Sequence, residues 1–333
     1  MPEGCRTVRR SPRRNSRSVV STTMTEAAAT ELSPLQHKTL ALLRRAADPV
    51  VFDTAFIASL RADIDEAFEE FGERLGDETV FLSKHRVSSV LGCEVQHLHD
   101  DDFSWSPAVA GGQVAHRAIQ LMVNWRGDPV PADVIDEALA RLADDDSSIG
   151  DWIEGLSEAD LADLRGFAVD KLIKFQECFP PLDRRAATTV ESSVRWPVDG
   201  PIVLSGKVDL TLGRPAGAES RKVIIDLKTG WASPKHREDL RFYALVETLR
   251  TQVPPRKIAS FYLDAGEPVV EDVTERVLMT ASRRMLDAVN AEIELRIEGR
   301  EPVKRPGASC RWCPLQHECV EGQAYLAGDD DRD

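Results

Sequence analysis

Two short segments hold residues that could do chemistry together. One is Gly206-Lys207-Val208-Asp209-Leu210, the other Ile224-Ile225-Asp226-Leu227-Lys228-Thr229-Gly230. Side chains alternate along a strand, so Asp226 and Lys228 share a face. If the two segments pair as a hairpin, Asp209 reaches that face too. Two carboxylates and an ammonium then converge. This set suits metal-assisted phosphodiester cleavage: hard oxygen ligands hold Mg²⁺ or Mn²⁺ and leave room for phosphate and water. The ion neutralises charge on the phosphate, and a lysine orients the attacking water or stabilises the charge that develops. A lone Asp-x-Lys is also how an ordinary surface ion pair reads. An aspartate embedded in an apolar strand is a stronger signal, because a buried charge is costly without a partner.

A second constellation lies near the C-terminus. Cys310, Cys313 and Cys319 form a C-x2-C-x5-C run. Thiolates at this spacing suit Zn²⁺ or an iron–sulfur cluster, and three of them need a fourth ligand. His317 is close by in sequence. Nothing marks the chain as secreted, so a disulfide framework is not expected. Of the other cysteines, Cys5 fits no pattern and Cys178 reads as a core residue at a helix end.

The elements that must position these groups can be read from hydrophobic period. Helices are expected at residues 33–47, 53–75, 83–93, 108–125, 131–144 and 157–179. Phe56, Leu60, Ile64, Phe68 and Phe71 make the stripe of the second. Leu161, Leu164, Ala168, Leu172 and Phe175 make that of the last. The pattern then changes to three strands at 188–197, 202–212 and 222–227, rich in Val and Ile and separated by Gly/Pro turns. A helix at 234–250, a strand at 257–263 and a long helix at 274–298 follow. No internal repeat is visible.

The chain of 333 residues carries a formal charge of −14. Six arginines and one glutamate lie in the first 23 residues, which leaves about −19 on the rest. That basic arm reads either as a disordered nucleic-acid tail or as a start placed ahead of Met24. The acidic remainder argues against broad, non-specific duplex binding, which relies on many Lys and Arg contacts. Phosphate contacts are expected locally, from Lys235, His236, Arg237 and Arg241, with Arg184, Arg185, Lys304, Arg305 and Arg311 as a second group. No apolar run is long enough to span a bilayer. A cytoplasmic location is the expectation.

The order helix, three strands, helix, strand, with G-K-V-D-L followed by D-L-K-T-G, resembles the PD-(D/E)XK nuclease superfamily. It is most similar to the RecB-like branch, which includes the CRISPR-associated RecB-like exonucleases and the B subunit of the AddAB helicase–nuclease. The resemblance implies an α/β fold with a restriction-endonuclease-like core, a mixed sheet flanked by helices in the order α-β-β-β-α-β. An N-terminal helical extension and a C-terminal cysteine segment would flank it. It implies that Asp209 and Asp226 are metal ligands, Lys228 the catalytic lysine, and the backbone carbonyl of Leu227 a further ligand. Gly112-Gln113-Val114-Ala115-His116 matches the family's G-x-x-x-H, which makes His116 a ligand. Glu191 stands where the family often has a glutamate near the metal. Tyr243 matches the branch's Q-x-x-x-Y, whereas Asp239 replaces the glutamine; an ionised carboxylate cannot donate a hydrogen bond as the amide does. With Arg241, these residues are candidates for substrate contact or support. Iron–sulfur members of the branch place one cysteine before the core and three after it, so the resemblance makes Cys93 the fourth ligand of a [4Fe–4S] cluster, with Zn²⁺ the alternative.

The segments implied are 1–32 (the basic arm or misplaced start), 33–105 (helical, with the first cluster cysteine), 106–298 (nuclease core with a helical insertion), 299–325 (cluster segment) and 326–333 (acidic tail). The function implied is a metal-dependent deoxyribonuclease, an exonuclease on single strands or ends, in DNA repair, recombination or defence. The sequence has no P-loop, so unwinding would need a helicase or another repair or defence partner. Two other readings stand beside it: a non-catalytic iron–sulfur nucleic-acid-binding subunit of a larger complex, and a zinc-stapled adaptor.

Overall fold

Helix starts along the chain follow local chemistry. Ser33, Asp53, Ser83, Ser106, Ser157, Ser233 and Thr274 each place a side-chain oxygen on the first free N–H groups of the helix that follows. The computed structural model describes residues 31–44, 47–99, 104–145, 147–182 and 186–330. The basic arm with Cys5, and Arg184 and Arg185, lie outside them.

The helices are α1 Pro34–Leu43, α2 Thr54–Leu75, α3 Lys84–Val90, α4 Glu94–Leu98, α5 Pro107–Val123, α6 Pro131–Asp144, α7 Ser148–Glu154, α8 Glu158–Cys178, α9 Pro234–Thr251, α10 Glu275–Arg296 and α11 Val320–Asp330. The strands are β1 Val80–Leu82, β2 Thr189–Trp196, β3 Ile202–Leu212, β4 Val223–Lys228, β5 Lys257–Tyr262 and β6 Glu267–Asp272. A 3-10 turn, Ala308–Trp312, precedes α11. The fold is the expected mixed sheet flanked by helices. Five elements were not anticipated: β1, α4, α7, β6 and α11. The last runs into the segment read as an acidic tail. No helix among the described residues is long and apolar enough to cross a membrane.

The sheet runs β1-β3-β4-β5-β6, with β2 on the other edge of β3. β2–β3, β3–β4 and β5–β6 are antiparallel, while β1–β3 and β4–β5 are parallel. On one face α2, α3, α9 and α10 bury Leu82, Trp196, Leu204 and Ile224; on the other α5, α6 and α8 bury Leu210, Ile225, Leu227 and Phe261. The α10 stripe of Leu278, Ala281, Met285, Val289 and Ile293 is buried as its period predicts. In α8 the stripe starts one turn later than predicted. Leu164, Ala168, Leu172 and Phe175 are buried, but Leu161 is exposed, because the helix's first turn extends past the core. Cys178 is buried at the end of α8, as expected.

Glu94, at the start of α4, ties the N-terminal helices to the segment after α10. Its carboxylate accepts from both Arg300 terminal nitrogens at 3.0 and 3.1 Å, from Arg305 at 3.0 Å and from the Val303 N–H at 2.8 Å. Burial favours the neutral acid, but these donors outweigh it and hold Glu94 at a pKa of about 2. Glu292 on α10 is likewise held at about 2 against its burial, chiefly by Arg86 and also by His97. Both folded values lie below the ordinary 4.5. Their stabilisation is therefore fully present above pH 4.5 and is lost as the pH falls towards 2. Glu94→Gln should cost about 2–3 kcal/mol at neutral pH, the worth of hydrogen bonds to a buried charge. In melts from pH 7 down to 3, the gap to wild type should narrow only below about pH 4.5. A gap that stays constant over that range would contradict the clamp.

Candidate active site

β3 is the strand on which the site is built. One edge pairs with β2 along most of its length. The other pairs with β1 at Ile202–Leu204 and with β4 only at Leu210–Leu212. Between those two contacts the edge is open, and β3 and β4 diverge beyond Leu210↔Ile225. Asp209 and Asp226 are the next facing positions, at the mouth of this fork. Glu191 lies opposite Asp209 on β2, between the pairs Val190↔Leu210 and Ser192↔Val208. It has a left-handed φ of 50°, a conformation that a non-glycine residue keeps only where its surroundings impose it.

The fork lies between the two helical layers, so α5 reaches it from one side and α3 from the other. His116 on α5 places Nδ1 3.4 Å from Asp209 Oδ1 and 4.0 Å from Glu191 Oε1. These three donors lie within 4.8 Å of one another, a possible acidic metal site. The second Asp209 oxygen accepts from the Leu227 N–H at 2.7 Å. Burial works against charge on both His116 and Asp209, but their attraction wins: His116 is raised above the ordinary imidazole value and Asp209 is lowered. Glycine matters at two places here. A Cβ on Gly112 would lie 3.0 Å from Thr229 Oγ1, so the glycine lets α5 approach the β4–α9 loop. A Cβ on Gly206 would lie 2.6 Å from the Tyr243 ring.

Asp226 is 2% exposed and sits between two ammonium groups. Lys228 Nζ is 2.6 Å from Oδ2, and Lys84 Nζ donates to Oδ1 at 2.7 Å. Oδ2 makes no hydrogen bond, and its contact with Lys228 is an ion pair alone. Lys84 was not legible in the sequence. It follows the Ser83 cap directly after the three-residue β1, and only pairing of β1 with β3 brings it to the fork. Burial opposes its charge, but Asp226 and the Tyr243 ring, with Nζ 4.9 Å from the ring centroid, outweigh that and raise its pKa.

The remaining candidates divide. Tyr243 is buried, and its hydroxyl donates to the Lys207 carbonyl at 2.7 Å, so it braces β3 beneath the fork. Burial raises its pKa to about 12. Lys207 pairs with Glu191. Asp239 lines a groove beside the site and accepts from the Ser88 hydroxyl at 3.3 Å; burial raises its pKa. Arg241 is not brought to the site. It is bound to Glu271 on β6 and to Glu238, each at 2.9 Å. Lys304 and Arg305 are also engaged, with Glu321 and Glu94. Burial and Lys228 lower the His236 pKa, and its Nδ1 lies 3.0 Å from the Tyr262 hydroxyl. A larger cavity of about 580 Å³, lined by Arg117, Trp125, Glu137 and Arg141 among others, holds none of the fork carboxylates.

Cys93, Cys310, Cys313 and Cys319 line one apolar cavity, although Cys93 is far from the others in sequence. All four are free thiols. The Gly307 N–H donates to Cys310 Sγ at 3.4 Å and the Gly322 N–H to Cys319 Sγ at 3.3 Å. Burial, and then the nearness of the other three, pushes the Cys313 thiol up. Among the described residues, only His116, Glu191 and Asp209 form a group of three or more ligand atoms within 4.8 Å of one another. His317 is absent from the cavity lining.

A mixed sheet with acidic and lysine side chains at a fork between diverging strands defines a nuclease class. The chain belongs to the PD-(D/E)XK nuclease superfamily, whose family model matches residues 82–320. Among solved structures, it is similar to a protein from Eubacterium rectale provisionally assigned as an exonuclease. The two are 13% identical, with 72% of this chain and 88% of that one covered and a TM-score of 0.42. It is also similar to SSO0001, at 13% identity, with 71% and 95% covered and a TM-score of 0.28. No curated protein sequence matches the chain.

Proposed function

We propose that the chain is a divalent-metal-dependent deoxyribonuclease of the RecB-like branch, an exonuclease on single strands or ends in DNA repair, recombination or defence. A helicase or another repair or defence protein would supply unwound substrate. The observation that carries this reading is the convergence of His116, Glu191, Asp209, Asp226 and Lys228, from four separate elements, on one fork.

The donor set fits Mg²⁺ or Mn²⁺. It is rich in carboxylates with a single imidazole, and such hard oxygen-rich sites favour these ions. His116, Asp209 and Asp226 would hold the ion, with Glu191 beside them and the Leu227 carbonyl as the backbone ligand. When bound, the ion would neutralise charge on the scissile phosphate. The protein's own residues do the rest. Asp226 holds Lys228 aimed at the fork, where its ammonium can hold the attacking water. Lys84 approaches from the opposite helix and can meet a phosphate oxygen as charge grows on it. Tyr243 and Gly206 hold β3 in place beneath both. Lys84→Ala should lower the cleavage rate about 10²–10³-fold, the scale of one lost charge-stabilising donor. Lys84→Arg should restore part of it. An unchanged rate in Lys84→Ala would remove Lys84 from the chemistry.

The four cysteines lining one cavity are read as ligands of a [4Fe–4S] cluster, with Zn²⁺ the alternative, and the N–H groups aimed at Cys310 and Cys319 suit thiolate ligands of either. The exonuclease reading is tested with matched linear and covalently closed single-stranded DNA in Mn²⁺. Degradation of the linear strand alone is expected. Equal cleavage of the circle would make the activity endonucleolytic.

A further inference from the structure

A groove of about 420 Å³ runs from Lys228 along α3 towards Cys93 and Ser309 in the 3-10 turn. Lys84, His85, Lys228 and Lys235 line it, and among the described residues of its lining Asp239 is the only acid. That is a local reversal of sign on a chain of net charge −14.

Two tryptophans lie close in sequence to residues at its two ends. Of the six in the chain, Trp196 is in the core, and Trp105, Trp125 and Trp152 pack against it. Trp231 is 96% exposed and Trp312 75% exposed. Trp231 lies in the β4–α9 loop, between Lys228 and Ser233, both of which line the groove. Trp312 is three residues after Ser309, which lines the far end. In a 3-10 turn, positions i and i+3 lie one above the other, so Trp312 stands on the Ser309 side. These are two large exposed rings near one basic groove, and covering them with a ligand would be favourable.

We infer that this groove is a track for single-stranded nucleic acid, in which Trp231 stacks on a base next to the cleavage point and Trp312 stacks on one further along. Resting on the nuclease reading, this names the substrate class as an unpaired strand. Lysines on the groove wall take the phosphates, and the indole faces take bases without regard to sequence. A base within a duplex is already stacked and hydrogen-bonded, so the same surfaces give no gain there. The track passes the cysteine cavity, because Cys93 lines both spaces. The cluster segment would thereby form part of the substrate path.

The test is equilibrium binding of a fluorescein-labelled oligothymidylate of about 15 nucleotides, near the upper site size of single-strand grooves. It is run on the full chain without divalent ion, beside a blunt duplex of the same length. Trp231→Ala should weaken single-strand binding about 5–100-fold, the loss of one stacked base. Trp231→Phe should keep most of the affinity, and Trp312→Ala should add a further loss. Duplex binding should not change. Unchanged single-strand binding by Trp231→Ala overturns the inference, as does an equal loss for strand and duplex. The cleavage assay is separate. A wild-type protein that cleaves while Trp231→Ala binds normally would leave the nuclease reading standing and remove the track. One that binds as expected but never cleaves would do the reverse.

Discussion

Asp226→Ala is expected to lower DNA cleavage by about 10³-fold or more, because it removes the proposed metal ligand and the partner of two lysines at once. Asp209→Ala and Lys228→Ala should do nearly as much. The losses should not add, since each variant dismantles the same constellation. The fold should survive. Asp226 lies at the end of β4 beyond its pairing with β3, and the adjacent layers are held by Ile224, Ile225 and Leu227. Circular dichroism should therefore match wild type. Cleavage by the Asp226→Ala protein at a wild-type rate would place the chemistry elsewhere.

The second large effect concerns the cysteines. Cys93→Ser should lose the brown chromophore and its iron. The four proposed ligands enclose a long stretch of chain, but the length of that loop would overstate the stabilisation. The Glu94 clamp with Arg300, Val303 and Arg305 already fastens the chain as far as residue 305 without any cluster. What the proposed cluster would itself pin is the segment from Pro306 through Cys319 into α11. Closing a loop of that size is worth about 3 kcal/mol. That corresponds to a melting temperature lower by about 5 °C for a chain of this length. Limited proteolysis should cut after residue 305 in the variant and not in the wild type. Iron content and melting temperature equal to wild type would mean that Cys93 is not a ligand.

Much of the fold could be read from the sequence where period and length were strong. The α10 stripe and the long hairpin of β2 and β3 are of this kind, each running long enough for its pattern to show. What could not be read is short or depends on distant pairing. β1 is three residues long and becomes a strand only by lying parallel to β3. β6 carries Pro268 and partly exposed residues, because it is an edge strand. Lys84 follows β1, so missing one hid the other. The roles suggested for His116 and Glu191 came from the order of motifs, since a histidine within a helix says nothing by itself. Their meeting with Asp209 depends on how α5 crosses the sheet, which no local pattern encodes. Arg241 shows the opposite error. A basic residue on the helix after the catalytic lysine looked available, but Glu271, on the unread β6, holds it.

The most direct measurement is a time course of wild-type protein on end-labelled single-stranded DNA with Mn²⁺, Mg²⁺ or EDTA. Stepwise shortening with either ion, stopped by EDTA and absent from an Asp226→Ala preparation run beside it, is the predicted result. DNA that stays intact under every ion while the protein binds it tightly would contradict the account, and would make the chain a non-catalytic binding subunit.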